Sequence, residues 1–297
     1  MNNTRCGYIA IVGRPNVGKS TLLNSIMDQK ISITSKKPQT TRHQLLGIKT
    51  RDQAQFLYVD TPGIHANEKK AINRYMNRNA RSVIRDVDAV IFVVDRGSWN
   101  KEDELVAEAL QGHSGQLIIA VNKFDLLESK NKLLPVLETL QKRFLEAEIV
   151  PVSALTAENI ELLENLIAER IPYSEFYFPD DQITDRSERF MVAEIIREKL
   201  MRQLGDEVPY SASIQIDRFE RTSKIVHIDA TIFVEREGQK SILIGSGGSK
   251  LKRIGSDARI DIERLLDRKI MLTNWVKVKS GWSDSERALK SLGYDPV

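Results

Sequence analysis

Gly13-Arg14-Pro15-Asn16-Val17-Gly18-Lys19-Ser20 decides the fold of this chain. Two glycines enclose four residues and Lys-Ser follows, the spacing of a phosphate-binding loop. Gly13 and Gly18 permit a close backbone approach that a Cβ would forbid. N–H groups along the loop, those of Val17 and Thr21 included, then converge on phosphate oxygens at the positive end of the following helix. Lys19 would reach the β- and γ-phosphates, and the Ser20 hydroxyl would ligate Mg²⁺.

The flanks agree. Tyr8-Ile9-Ala10-Ile11-Val12 is the short apolar run of a buried strand. Thr21-Leu22-Leu23-Asn24-Ser25-Ile26-Met27 predicts a helix with Leu22, Leu23 and Ile26 on one face. Strand, loop and helix stand in the required order.

Strand candidates 55–60, 89–95, 116–123 and 148–153 alternate with helical stretches 68–85, 101–112, 131–146 and 158–170. That alternation predicts an α/β domain with a mostly parallel sheet and helices on both faces. Ligands then lie beyond the carboxyl ends of the strands. Residues 172–181 carry two prolines and no period, which marks a boundary whose aromatics pack against a domain face. Beyond it the rhythm changes to a helix at 189–204, paired strands at 211–220 and 225–235, a glycine-rich stretch, a helix, and a strand at 270–279.

The chain of 297 residues has room for two domains, with 29% charged and 41% hydrophobic residues. No apolar run is long enough to cross a bilayer, and the start, Met1-Asn2-Asn3-Thr4-Arg5-Cys6, lacks a signal-peptide core. The single cysteine, Cys6, excludes an internal disulfide and fits a reducing cytosol. Net charge is +3, concentrated late: residues 186–297 hold 21 Lys and Arg against 17 Asp and Glu. A polyanionic partner for the last third is consistent with that excess.

Four further elements extend the nucleotide reading. Asp60-Thr61-Pro62-Gly63 ends a strand, where Asp60 would hold Mg²⁺ and the Gly63 N–H would meet the γ-phosphate. Asn122-Lys123-Phe124-Asp125, with its lysine 104 residues after Lys19, selects the base. A carboxylate accepts from both guanine N1–H and the exocyclic amine. Adenine offers neither donor there, so Asp125 would be left unsatisfied against it, at a cost of a few kcal/mol. Asn122 would brace loop and base, and the stem of Lys123 would cover the ring. Ser153-Ala154-Leu155 ends another strand, and its N–H groups would donate to guanine O6. In Ser35-Lys36-Lys37-Pro38-Gln39-Thr40-Thr41-Arg42-His43 a hydroxyl, Thr41 in preference to Thr40, would complete Mg²⁺ coordination and form a switch with the γ-phosphate.

Together these words resemble the translation-factor-related GTPases. The resemblance implies GTP and GDP as ligands and Lys19, Thr41 and Gly63 as the hydrolytic groups. Many such GTPases place a glutamine after Asp-x-x-Gly to orient water. Ile64 stands there instead, which implies slow intrinsic hydrolysis. Asn16 occupies the position where potassium-activated relatives hold K⁺; a loop-shaping role is the alternative.

A second glycine loop lies in Ile244-Gly245-Ser246-Gly247-Gly248-Ser249-Lys250-Leu251-Lys252-Arg253-Ile254-Gly255. Gly245-x-x-Gly248 is the length that lets a single-stranded nucleic-acid backbone approach the main chain. Lys250, Lys252 and Arg253 follow it. Preceded by helix and hairpin, the segment resembles a type II KH domain, an α+β fold that binds RNA rather than DNA. Ser246 and Gly247 fill the middle, where many KH loops carry a basic residue, so affinity leans on neighbouring cations. Lys277, Lys279, Trp275 and Trp282 could extend the surface, although each tryptophan suits core packing better.

The combination resembles a bacterial family with a GTPase domain at 1–172, a linker at 173–187 and a KH domain at 188–297. It implies a cytoplasmic GTP-hydrolysing switch that binds 16S rRNA near its 3′ end and serves 30S subunit assembly. Peripheral association with the inner membrane is a further implication, with no amphipathic anchor to support it. The alternatives are a GTP-dependent scaffold docking a protein or membrane, and a GTPase partnered with a tRNA-modifying enzyme. The KH-like tail disfavours the latter.

Overall fold

The computed structural model describes residues 4–64, 70–97, 99–113, 115–205 and 208–294. The first residues of the chain, and Glu68 with its neighbours at the expected helix start, lie outside that set.

The first unit contains β1 (Arg5–Val12), α1 (Lys19–Ile26), β2 (Leu45–Arg51), β3 (Ala54–Asp60), α2 (Ala71–Arg85), β4 (Ala89–Asp95), α3 (Lys101–Ala109), β5 (Gln116–Asn122), α4 (Leu134–Arg143), β6 (Glu148–Val152) and α5 (Ile160–Ala168). Its sheet runs β2-β3-β1-β4-β5-β6. Only β2 is antiparallel. The strand order reverses at β1, with β3 on one side and β4 on the other, so the loop after Val12 opens at the sheet's switch point. The apolar runs are explained by burial on both faces. Ile9 and Ile11 pack with Leu22, Leu23 and Leu163, whereas Ala10 and Val12 pack with Ala80, Val83 and Val106.

β2 was not foreseen. Its register with β3 pairs Leu45 with Asp60 and Arg51 with Ala54. As an edge strand, Leu45-Leu46-Gly47-Ile48-Lys49-Thr50-Arg51 has too few apolar residues to stand out by period.

The linker is bound rather than loose. The fully buried Gln55 donates to the Phe178 carbonyl at 2.8 Å and accepts the N–H groups of Tyr177 and Phe178 at 2.9 and 3.0 Å. Phe176 and Phe178 pack on Cys6, Ile48 and Leu57, as the aromatic content suggested.

The second unit comprises α6 (Glu188–Gln203), β7 (Ser213–Arg221), β8 (Val226–Val234), α7 (Glu237–Ile244), α8 (Ser249–Leu266), β9 (Ile270–Val278) and α9 (Glu286–Ser291). β7 and β8 form a hairpin, and β9 joins β8 in parallel. The helices bury Ile196, Leu200, Ile254 and Ile262 against Ile228, Ala230 and Ile232. The two tryptophans part company. Trp282 is fully buried and donates to the Ser211 carbonyl. Trp275 is 58% exposed, because its β9 position points away from the helices, contrary to the packing expectation.

Candidate nucleotide site and RNA groove

The phosphate loop leaves β1 and enters α1 with Gly18 at φ 104°, and a Cβ there would stand 2.3 Å from Asn122 Nδ2. Glycine is therefore required by both backbone and neighbour. Lys19 heads the helix, 7% exposed, and its Nζ donates to the carbonyls of Gly13 and Arg14, each at 2.9 Å. Burial lowers its pKa to about 8, against the attraction of Asp60.

Asp60 gathers the hydroxyls. Its Oδ2 accepts from Ser20 Oγ at 2.8 Å and Ser32 Oγ at 2.9 Å, while Thr41 Oγ1 stands 3.4 Å from it and 2.8 Å from Ser20 Oγ. Asp60 is fully buried, and its Oδ1 has no hydrogen-bond partner among the described residues. Burial raises its pKa, opposed by Lys19 and the hydroxyl bonds. An all-oxygen set of one carboxylate and several hydroxyls suits a hard cation such as Mg²⁺. Thr40 turns the other way, bonding Ser35 Oγ at 2.8 Å and the Lys37 carbonyl at 2.7 Å. Thr41 is thus the threonine at this cluster, with Lys19 and Gly63 lining the same cavity.

Asn122 joins three loops. Its Nδ2 donates to the Val17 carbonyl at 2.8 Å, and its Oδ1 accepts from the N–H groups of Lys123 at 2.8 Å and Ala154 at 3.0 Å. Lys123 Nζ donates to the Asn16 carbonyl at 2.7 Å and to Asp95 at 2.9 Å. Asn16 itself is exposed, with φ 64°. A cavity of about 830 Å³ is lined by Asn16, Gly18, Thr21, Lys123, Asp125 and Ala154, which brings the base-selecting carboxylate into the space beside the phosphate loop.

The Ser153 N–H donates to the Glu158 carbonyl at 3.1 Å and the Ala154 N–H to Asn122. Both bonds hold this loop in place at the edge of the cavity that Ala154 lines. Ile64 is 1% exposed in the core beside Ala80 and Val83, so its side chain faces away from the phosphate cavity.

Pattern reading passed over four residues. Ser32 bonds Asp60 from outside any motif. Asp103, fully buried at the start of α3, accepts from Arg14 Nε at 3.0 Å and bears on the phosphate loop from behind, while Asp95 holds Lys123. Asn100-x-x-Asp103 has capping-box spacing, the only advance signal among these. Arg42 is fully buried. Its guanidinium donates to the carbonyls of Ala212 at 2.7 Å, Pro209 at 3.0 Å and Tyr210 at 2.9 Å, all in the second unit. Thr41 and Arg42 are adjacent, yet one meets Asp60 and the other the far unit. Arg197 Nη2 reinforces this by donating to the Thr40 carbonyl at 2.5 Å.

In the second unit α7 ends at Gly245, with φ 72°, and Gly247 and Gly248 follow at 56° and 78° before α8 begins. This left-handed run is what the glycines permit. A groove of about 380 Å³ lies between α8 and β9, lined by Gly248, Leu251, Lys252, Gly255, Arg259 and Asn274. Lys252 lines it as expected; Lys250 and Arg253 are exposed but outside the lining, as is Ser246. Arg259 was not foreseen and comes from the same helical face. Lys279 bonds Ser291 instead.

Comparison with known proteins fits this geometry. Residues 8–123 match the 50S ribosome-binding GTPase family, and residues 207–283 match the KH domain family. GTPase Era of Pseudomonas putida strain W619 is 60% identical over 293 residues, covering 99% of this chain and 98% of that protein. GTPase Era of Pseudomonas aeruginosa strain LESB58 is 59% identical over 291 residues, covering 98% and 95%. An Aquifex aeolicus Era structure bound to GDP·AlF4⁻ superposes with a TM-score of 0.95 at 36% identity, covering 98% and 99%. An Era structure with MgGDPNP and nucleotides 1506–1542 of 16S rRNA gives the same TM-score, identity and coverage. With a phosphate loop at the sheet's switch point, a glycine-loop groove in the second unit and full-length likeness to these proteins, the chain belongs to the Era family of GTPases.

Proposed function

We propose that this GTPase is a nucleotide-controlled switch that binds 16S rRNA near its 3′ end and acts in 30S subunit assembly. Its GTPase domain is 1–172, its linker 173–187 and its KH domain 188–297. The carrying observation is the loop 35–43, bonded through Thr41 to the Asp60 cluster and through Arg42 to the second unit. An 16S rRNA fragment bound by an Era structure of the same fold supports the choice of RNA.

In this reading Asp125 selects guanine, Lys19 and the loop N–H groups hold the phosphates, and the Gly63 N–H meets the γ-phosphate. Ser20, Thr41 and Asp60 would hold Mg²⁺, which supplies positive charge to the β- and γ-phosphates when bound. Ile64 offers no polar group to orient water, so turnover by the isolated protein is slow. Asn16 is the candidate K⁺ contact; equal GTP turnover in K⁺ and Na⁺ buffers would sink that assignment. Gly245 to Gly248 approach the RNA backbone, with Lys250, Lys252 and Arg253 adding charge.

The ribosomal partner implies a cytoplasmic site of action. The proposal extends to peripheral contact with the inner membrane; no described helix is long and apolar enough to cross a membrane.

Coupling is reciprocal, so RNA must favour the nucleotide state that favours RNA. The test measures affinity for a 16S 3′-end oligonucleotide with a non-hydrolysable GTP analogue and with GDP. Tighter binding with the analogue is expected, and equal affinities would refute the switch.

A further inference from the structure

The helix α2 carries a feature that neither the nucleotide site nor the glycine-loop groove uses. Its sequence, Ala71-Ile72-Asn73-Arg74-Tyr75-Met76-Asn77-Arg78-Asn79-Ala80-Arg81-Ser82-Val83-Ile84-Arg85, contains four arginines and no acidic residue. The whole chain, by contrast, nearly balances 44 Lys and Arg against 41 Asp and Glu. Arg74, Arg78, Arg81 and Arg85 are all exposed. Their spacing of four, three and four residues sets them along one side of the helix, a stripe about 16 Å long at the helical rise.

The opposite side is already used. Ala71, Ile72, Tyr75 and Met76 pack with Trp282, Leu289 and Tyr294 of the second unit. Ala80, Val83 and Ile84 pack into the sheet of the first. The stripe therefore runs across the outside of a helix that spans both units. Arg78 Nη2 lies 3.5 Å from Glu286 of α9, both well exposed.

Like charges three and four residues apart repel, and Arg74 lies near the helix N-terminus, where the macrodipole disfavours cations. A polyanion with regularly repeating charge would convert that repulsion into attraction.

We propose that the arginine stripe of α2 is a second RNA-binding surface, holding the phosphate backbone of a structured segment beside the strand in the KH groove. The occupant follows from chemistry. Guanidinium groups pair bidentately with phosphate oxygens. A lipid surface fits less well, because the apolar side of α2 faces inward and no large apolar residue separates the arginines on the exposed side. The proposal rests on the KH groove binding RNA, and its test separates the two.

The full-length protein with Arg74, Arg78, Arg81 and Arg85 all changed to Gln is compared with wild type. The probes are nucleotides 1506–1542 of 16S rRNA, the fragment used with an Era structure, and a ten-nucleotide single strand from its 3′ end. Expected is at least tenfold weaker binding of the long RNA at 100 mM salt. The slope of log affinity against log salt should become shallower by about three, as for the loss of four phosphate contacts. Binding of the short strand should stay within twofold, and the four-lysine variant should recover most of the long-RNA affinity. An unchanged long-RNA affinity and salt slope overturns the stripe, and so does equal weakening on both probes. Loss confined to sedimentation with phosphatidylglycerol vesicles overturns it in favour of a membrane surface. Failure of wild type to bind either RNA would instead defeat the KH reading. Unaltered thermal midpoints confirm that the Gln and Lys variants remain folded.

Discussion

The two glycine loops of this molecule would meet an anion by opposite means. The loop at Gly13–Gly18 is enclosed: Lys19 is 7% exposed, and Thr34, Ser35, Thr40 and Thr41 line the space above it. The loop at Gly245–Gly248 is open, with nothing within 4 Å of a Cβ placed on Gly247 or Gly248 and with Lys250, Lys252 and Arg253 in solvent. In the first, charges act at low dielectric and each contact is worth much. In the second, contacts are individually weak, additive and screened by salt. The enclosed loop suits chemistry on one small ligand, and the open one suits grip on a long one.

The largest effect should come from the enclosed loop. Lys19→Ala removes the buried cation from the phosphate site and should slow single-turnover GTP hydrolysis by about 10²–10³-fold. A loss under fivefold would contradict the enclosed reading. Asp125→Asn should weaken GTP binding by roughly a hundredfold, as expected when a charge-assisted pair is lost. It should also improve xanthosine triphosphate binding, because an amide can donate to the C2 carbonyl that replaces the guanine amine. Competition between the two nucleotides reads both changes. At the open loop, Gly247→Asp meets no steric obstacle, and aspartate tolerates positive φ better than most residues. The fold should survive, while affinity for a ten-nucleotide RNA falls about tenfold and GTP hydrolysis without RNA changes little.

The smallest effect concerns the contact between the two units. His43 stacks on Tyr294 at 4.4 Å and meets Phe190 edge-on at 5.4 Å. Burial lowers its pKa from 6.5 to about 4, with Glu194 opposing and Arg197, Arg186 and Arg42 assisting. Because the unfolded chain binds the proton more readily, stability is full above pH 6.5 and is lost as pH falls towards 4. The histidine's share over that whole range is on the order of 3 kcal/mol. Urea melts of wild type and His43→Phe at pH 7, 6 and 5 should diverge in that window; parallel curves would show that His43 does not carry the pH dependence.

Much of the nucleotide site was legible because its parts are short strings fixed to strand ends. Lys19, Ser20, Asp60, Asn122 and Asp125 each follow an apolar run that announces a strand, and the alternating sheet brings those ends together. The KH-like unit was legible from its glycine run and the hairpin before it. What stayed hidden depends on tertiary partners. Ser32 reaches Asp60 from an unpatterned loop, and Arg42 bonds carbonyls, which leave no mark in a sequence. The bond from the Ala154 N–H to Asn122 Oδ1 was likewise invisible, because a strand-end motif does not show which loop braces it. Helix ends also moved inward: 131–146 became Leu134–Arg143, since the chain around it forms short turns.

Arg42 has a consequence for how the two units part. Its guanidinium is fully buried, and its carbonyl partners at 209, 210 and 212 lie together on one short turn. A partial withdrawal would leave that charge neither bonded nor hydrated, the costliest arrangement available to it. Intermediate separations are therefore sparsely populated, and the seam should behave as a snap fastener, either seated or fully released. A distance probe across it should report two discrete values rather than a continuous drift.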